Sequence, residues 1–286
     1  MDVIEILNRV WYTELSLRKS GDLMKTDFVC VNDIEMEYFS FGSGERAFVI
    51  LPGVSTRSLM LSAMAVSAAY KAFGEEYTVY AFDRRRNMPD DYTVRQMASD
   101  TAAVMQTLGI VDADIFGASQ GGMMAMCIAV DHPELVRKMV LGSTAAKLDD
   151  RGREDTKRWI ELAQSGDLTA LTAELIDTLY SENTIGKYKD MLIHMNDGMT
   201  EYDIRRFILQ TQALDDFDIT GELDRIQCPV LVIGSEGDKV LPPSQSRMIA
   251  ETLNASLYMY SDEYGHCVFD EAPDYKQRLL DFYHQP

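Results

Sequence analysis

Apolar residues recur along this chain with two different periods. Within residues 2–19, Val3, Ile6, Leu7, Val10, Trp11 and Leu15 fall at helical spacing, which predicts an amphipathic N-terminal helix ended by Ser20-Gly21-Asp22. The period then shortens. Residues 28–31, a turn at Asn32-Asp33, and residues 34–41, where Ile34, Met36 and Tyr38 alternate, predict an antiparallel hairpin. Gly42-Ser43-Gly44 leads into 47–51, a continuous apolar run of the kind buried on both faces. Strands and helices then alternate: helix 59–73, strand 77–82, helix 94–108, strand 113–116, a helix ending at Asp131-His132-Pro133, and strand 137–141. Such alternation predicts a mostly parallel sheet with helices on both faces.

The alternation breaks over 147–216. No strand-like run occurs there, and the spacing predicts three or four amphipathic helices, one marked by Leu168, Leu171, Leu175 and Leu179, another by Ile204, Phe207 and Ile208. Strand–helix order resumes with strand 229–234, helix 243–253, strand 256–260 and a last helix over 275–283. The reading is therefore an α/β fold with eight strands, divided into an N-terminal helix (1–25), a first core segment (26–146), a helical cap or lid (147–216) and a second core segment (217–286). A helical insert in a doubly wound sheet usually covers the strand C-terminal ends, where ligands bind. The plainer alternative is a decoration that never meets substrate.

Composition narrows the function classes. Among 286 residues, 27 Lys and Arg face 46 Asp and Glu, a net charge of −19. That surface repels phosphate backbones and anionic lipids, so neither nucleic acid nor membrane is an expected partner. The first twenty residues carry Asp2, Glu5 and Glu14 and lack the apolar core of a signal peptide. No stretch reaches the roughly 20 apolar residues of a spanning helix. Cys30, Cys127, Cys228 and Cys267 are scattered, as for free thiols in a cytoplasmic protein. No metal-ligand cluster or cofactor motif stands out, so neither a metal nor a cofactor is expected; a homodimer is left open.

The chemistry concentrates at Gly117-Ala118-Ser119-Gln120-Gly121, between the run 113–116 and the helical run that follows. A serine on a sharp strand-to-helix turn needs small neighbours, and the helix start aims its free N–H groups at the hydroxyl. Serine needs a base within reach, and the base needs an acid to hold it. Asp238, in Gly234-Ser235-Glu236-Gly237-Asp238, follows one apolar strand, and His266 follows another. Both lie at strand C-terminal ends, the same edge as Ser119. Weaker candidates are His132 beside Pro133, His194 in the insert, the near-terminal His284, and Glu236 as the acid.

These segments, in the order Ser119, Asp238, His266, resemble the α/β-hydrolase superfamily. So do Asp131-His132-Pro133-Glu134-Leu135-Val136, Gly237-Asp238 with Pro242, Gly265-His266 with Glu271 and Pro273, and the run from Ile219 to Pro229. The resemblance covers roughly 28–286. It implies Ser119 as nucleophile, His266 as base and acid, Asp238 as its orienter, and an oxyanion hole from the backbone N–H groups of Val54 and Gln120. Two segments depart from the family pattern. Pro52 stands where a histidine usually precedes Gly53, and Asp83-Arg84-Arg85-Arg86-Asn87 lacks the usual glycines. The arginines are expected to pair with neighbours such as Asp83, Asp90 and Asp91, the sharper alternative being recognition of a substrate carboxylate. Met60, Met64, Met123, Met124 and Met126 are expected mainly as core filler. The expected activity is hydrolysis of a small-molecule ester or thioester. Enol-lactone, C–C bond or perhydrolytic chemistry on the same triad, and a non-catalytic ligand-binding role, stay open because this fold hosts many functions.

Overall fold

The computed structural model describes residues 24–286, so the helix expected over 2–19 lies outside the described residues. Strands β1 (Lys25–Val31) and β2 (Ile34–Phe41) form the expected hairpin, with Val31 opposite Ile34. Asn32, in its two-residue turn, has φ +54°, a conformation that asparagine adopts more readily than most side chains.

Six further strands are β3 (Arg46–Leu51), β4 (Tyr77–Phe82), β5 (Ala113–Ala118), β6 (Val136–Gly142), β7 (Val230–Ser235) and β8 (Ser256–Tyr260). They run parallel to one another, and only the β1–β2 and β2–β4 pairings are antiparallel. The order across the eight-stranded sheet is β1-β2-β4-β3-β5-β6-β7-β8. β3 thus has β4 on one side and β5 on the other, in register Leu51 to Gly117. The chain leaves β3 and β5 in opposite directions, and such a switch point opens a crevice beyond the strand C-terminal ends.

The buried strands put alternate residues on opposite faces, as the two-residue period requires. Val49, Leu51 and Ile115 join the core beneath helices α2 (Val94–Thr107) and α3 (Gln120–Asp131). Phe48, Ile50 and Phe116 join the core on the other face, with α1 (Ala63–Ala69) and the C-terminal aromatic residues Tyr275 and Tyr283. Met123, Met124 and Met126 are core filler, whereas Met64 is exposed.

One expected helix is not continuous. The segment read as helix 59–73 divides into a 3-10 turn at Leu59–Ser62, α1, and a second 3-10 turn at Lys71–Glu75. Tyr70 and Phe73 both pack on Phe48, with centroids 6.1 and 4.5 Å away. A 3-10 turn brings positions i and i+3 into line, which lets both rings reach one surface.

The insertion holds four helices: α4 (Asp150–Ser165), α5 (Leu168–Leu179), α6 (Glu182–Leu192) and α7 (Glu201–Gln212). Each starts at a side-chain cap. Asp149, Asp167, Ser181 and Thr200 each accept from the backbone N–H three residues on, contacts typically contributing about 1 kcal/mol apiece. At its base Lys147 bridges Asp218, and the Ile219 N–H donates to the Ala146 carbonyl at 2.9 Å. After β7 come α8 (Pro243–Leu253), and after β8 the short α9 (Val268–Glu271) and α10 (Tyr275–Tyr283). No helix among the described residues is long and apolar enough to cross a membrane.

Candidate active site

Ser119 sits between the last residue of β5 and the first of α3, with φ +52° and ψ −123°. That conformation is rare for a residue with a Cβ and is imposed by its neighbours. A Cβ on Gly117 would overlap the Gly121 carbonyl, and one on Gly121 would overlap the Leu51 carbonyl. Both positions must be glycine for α3 to sit this close to β3 and β5. Further bonds hold the turn: Ser119 N–H donates to the Gly142 carbonyl at 2.9 Å, and the Thr144 hydroxyl donates to the Ser119 carbonyl at 2.7 Å.

Asp238 and His266, from the loops after β7 and β8, meet. The Asp238 carboxylate takes His266 Nδ1 at 2.8 Å on Oδ2, and the Val240 and Leu241 N–H groups at 2.9 Å each on Oδ1. A carboxylate only accepts, so the imidazole proton belongs on Nδ1 and Nε2 is left as a base. Both side chains are almost fully buried. Among the described residues no hydrogen bond joins the Ser119 hydroxyl to the imidazole. The two share the C-terminal edge of the sheet.

Gln120 follows Ser119 in the chain, and Val54 lies in the loop after β3. Gln120 is the first residue of α3, so its N–H is one of the donors that a helix start leaves free. Val54 follows Gly53, where an added Cβ would lie 3.1 Å from Ser119 Cβ. Glycine therefore lets the loop after β3 press against the serine. Neither N–H has a protein acceptor among the described residues.

The arginine cluster differs in part from expectation. Arg85 pairs with Asp33 at 2.8 Å and Asp100 at 3.6 Å, and Arg86 with Glu37 at 2.9 Å. The anticipated acids serve other residues: Asp83 pairs with Arg206 of α7 at 2.6 Å, and Asp90 with Arg205 at 2.7 Å. Arg84 is buried and hydrogen-bonds neutral acceptors instead, the Pro52 carbonyl at 2.8 Å and Gln120 Oε1 at 3.1 Å. Desolvation pulls its pKa down to about 10, which leaves it charged at neutral pH. A cavity of about 500 Å³ beside this cluster is lined by Arg84, Arg86, Arg206, Asp83, Glu37 and Tyr202, among others.

The weaker candidates lie elsewhere. His194 is exposed and pairs with Asp197, His284 pairs with Glu76, and His132 faces Glu134. Glu236 pairs with Arg247 at the surface. Burial pushes the Cys267 thiol, next to His266, well above its usual pKa, which keeps it protonated and unreactive. Among the described residues no group of three or more His, Cys, Asp or Glu is arranged to hold a metal ion.

Sequence reasoning did not single out Gln210 or Arg206, and gave Glu271 no role. Glu271 is buried and accepts from Ser181 N–H of the insertion at 2.8 Å and from Gly265 N–H, beside His266, at 2.7 Å. Its place in the Gly265-His266…Glu271-x-Pro273 motif was the available signal. Gln210 and Arg206 lie within an ordinary amphipathic helix and carry none.

A parallel sheet with a strained serine at the switch point and a buried Asp–His pair on the same edge defines a class of fold. The family model described as alpha/beta hydrolase fold matches residues 47–273, and the chain belongs to that family. Its relatives include serine hydrolase BPHL of Mus musculus, 23% identical over 277 residues that cover 91% of this chain and 87% of the relative. Another is 3-oxoadipate enol-lactonase 2 of Acinetobacter baylyi, 23% identical over 230 residues, covering 79% and 84% respectively. Among solved structures, MGS-M2, an alpha/beta hydrolase enzyme from a Medee basin deep-sea metagenome library, superposes with a TM-score of 0.81. It is 23% identical, and the match covers 91% of this chain and 98% of that one. Family and relatives place the chain among the hydrolases of this fold.

Proposed function

We propose that this protein is a serine hydrolase that cleaves a carboxylic ester or thioester of a small molecule through an acyl-enzyme on Ser119. The observation that carries the reading is the buried Asp238–His266 pair, with Nε2 left free on the sheet edge where Ser119 is held in its strained turn. His266 takes the hydroxyl proton as Ser119 attacks the carbonyl, and Asp238 holds the ring and stabilises its charged form. The tetrahedral oxyanion is met by the N–H groups of Val54 and Gln120. His266 then protonates the leaving group and activates the water that frees the acyl group. The four-helix insertion acts as a cap over the site, because Ser55, Asp83, Gln120 and Cys267, all in loops or at a helix start on that edge, bond to it.

The test is hydrolysis of a nitrophenyl ester series, from acetyl to lauroyl, by wild type and Ser119→Ala. Turnover is expected to fall by at least about 10⁴-fold in a mutant that still folds, since the nucleophile and base act as a unit. The chain-length optimum sizes the acyl pocket. Activity retained by the folded mutant overturns the proposal.

A second reading, hydrolysis of a carboxylate-bearing lactone on the same triad, is supported by the likeness to 3-oxoadipate enol-lactonase 2 of Acinetobacter baylyi. A higher kcat/KM for such a lactone than for a matched neutral ester selects this reading.

A further inference from the structure

The two segments that depart from the family pattern, Pro52 and the arginine run, touch. Arg84 Nη2 donates to the Pro52 carbonyl at 2.8 Å and lies 3.5 Å from the Gly53 carbonyl. The same nitrogen donates to Gln120 Oε1 at 3.1 Å. One buried cation thus holds both the loop before Val54 and the side chain of Gln120. We infer that Arg84 is a positioning residue for the oxyanion site, fixing the direction and separation of the Val54 and Gln120 N–H groups. The inference rests on the serine-hydrolase reading and names a residue that sets the geometry of that site.

The backbone explains how a contact to carbonyls positions an N–H. A trans peptide is planar, and its C=O and N–H point in opposite directions. The Gly53 carbonyl faces Arg84, so the Val54 N–H on the same peptide points away from it. The Pro52 carbonyl anchors the peptide before. Because Gly53 also packs on Ser119, a small rotation of this loop would move the N–H relative to the serine.

Gln120 is held at both ends of its amide. Oε1 accepts from Arg84, and Nε2 donates to the Gln210 carbonyl of α7 at 2.6 Å. The side chain is fully buried, so α3 begins at a fixed place. Gln210 grips the far side of Val54: its Oε1 accepts from Ser55 N–H at 3.4 Å, and its Nε2 donates to the Ser55 carbonyl at 3.3 Å. Val54 therefore sits between a segment held by the core arginine and a residue held by the insertion. The neighbouring Arg206–Asp83 pair holds α7 over this network, and Asp83 also accepts from the Ser58 hydroxyl at 2.8 Å.

The cost of a buried charge supports a role for Arg84. Guanidinium groups taken out of water are normally paired with carboxylates. Here the guanidinium hydrogen-bonds neutral oxygens, the Pro52 and Gly53 carbonyls and Gln120 Oε1, and Nε has no partner. A methionine of similar reach would avoid that desolvation but would donate nothing to Pro52.

The experiment compares wild type, Arg84→Met and Arg84→Lys on the best nitrophenyl ester, with the affinity of an alkylboronic acid that forms a tetrahedral adduct on the serine. Ser119 phosphonylation by a fluorophosphonate gives a readout independent of substrate choice. In Arg84→Met, kcat is expected to fall by about 10- to 10³-fold, bounded by the loss of one oxyanion donor. Boronate affinity and labelling rate should fall in parallel, with KM within about threefold and unfolding still cooperative. Arg84→Lys, which keeps one donor, should recover part of the loss. Wild-type kcat in folded Arg84→Met overturns the inference. So does a rise in KM at unchanged kcat, which would make Arg84 a substrate-binding group.

Should Arg84→Met not fold, Gln120→Met carries the same test. It removes the Oε1 that Arg84 holds while keeping the Gln120 backbone N–H, and unchanged kcat and boronate affinity there overturn the inference. Ser119→Ala, assayed in parallel, separates the two claims. Turnover retained in Ser119→Ala refutes the serine-hydrolase reading. Turnover lost there but unaffected in folded Arg84→Met refutes only the role given to Arg84.

Discussion

At the scale of single residues, the main energetic anomaly is Ser119. A non-glycine residue at φ +52°, ψ −123° carries strain of about 1–3 kcal/mol. Glycine would relieve it, at a cost of about 0.5–1 kcal/mol in extra unfolded-state freedom. Ser119→Gly should therefore be more stable than Ser119→Ala by about 1 kcal/mol, read from urea midpoints. Equal or reversed midpoints would mean that the turn stores no strain. The arginines show how burial sets the worth of a charge. Arg86–Glu37 is largely exposed and contributes about 0–1 kcal/mol. Removing one partner of the buried Arg206–Asp83 pair costs about 3–5 kcal/mol, because the other charge is stranded.

At the scale of elements, the helical insertion is tied to the loop that carries His266. Glu271 accepts from Ser181 N–H and Gly265 N–H with its two oxygens, and Cys267 N–H donates to the Leu179 carbonyl at 2.9 Å. Charge-assisted bonds of this kind contribute about 1.5–3 kcal/mol each, and the pair shares one carboxylate. Glu271→Ala should therefore lose about 2–4 kcal/mol of stability, with Glu271→Gln losing less because it keeps one acceptor oxygen. Turnover should fall in the same order as the His266 loop loosens. A wild-type urea midpoint for Glu271→Ala would show that this link carries no weight. The insertion thus grips both sides of the site, through Gln210 on one and Ser181 on the other.

At the scale of the whole molecule, two cores press on a central sheet under a net charge of −19. A charge of that size repels itself in the compact state. Salt screens it, with a Debye length of about 30 Å at 0.01 M and about 8 Å at 0.15 M. The thermal midpoint should therefore rise by several degrees between 0.01 and 0.15 M NaCl. A flat or falling midpoint would mean that favourable surface pairs such as Arg95 with Asp131 and Glu222 outweigh the repulsion.

What the chain determined on its own was local and periodic. Apolar runs of period two and helical spacing marked the strands and most helices, because burial on one or two faces must be written into consecutive residues. The serine turn was legible because close backbone contacts demand glycine at Gly117 and Gly121. Asp238 and His266 were read together from family order rather than spacing, and their side chains lie 2.8 Å apart in the structure. Tertiary structure alone decided which carboxylate each arginine met. Asp83 lay next to Arg84 in sequence, yet its side chain pairs with Arg206, 123 positions away. It also divided the segment 59–73, where Tyr70 and Phe73 both pack on Phe48. Long side chains reach partners across the fold, and no local pattern records which partner the packing will bring near.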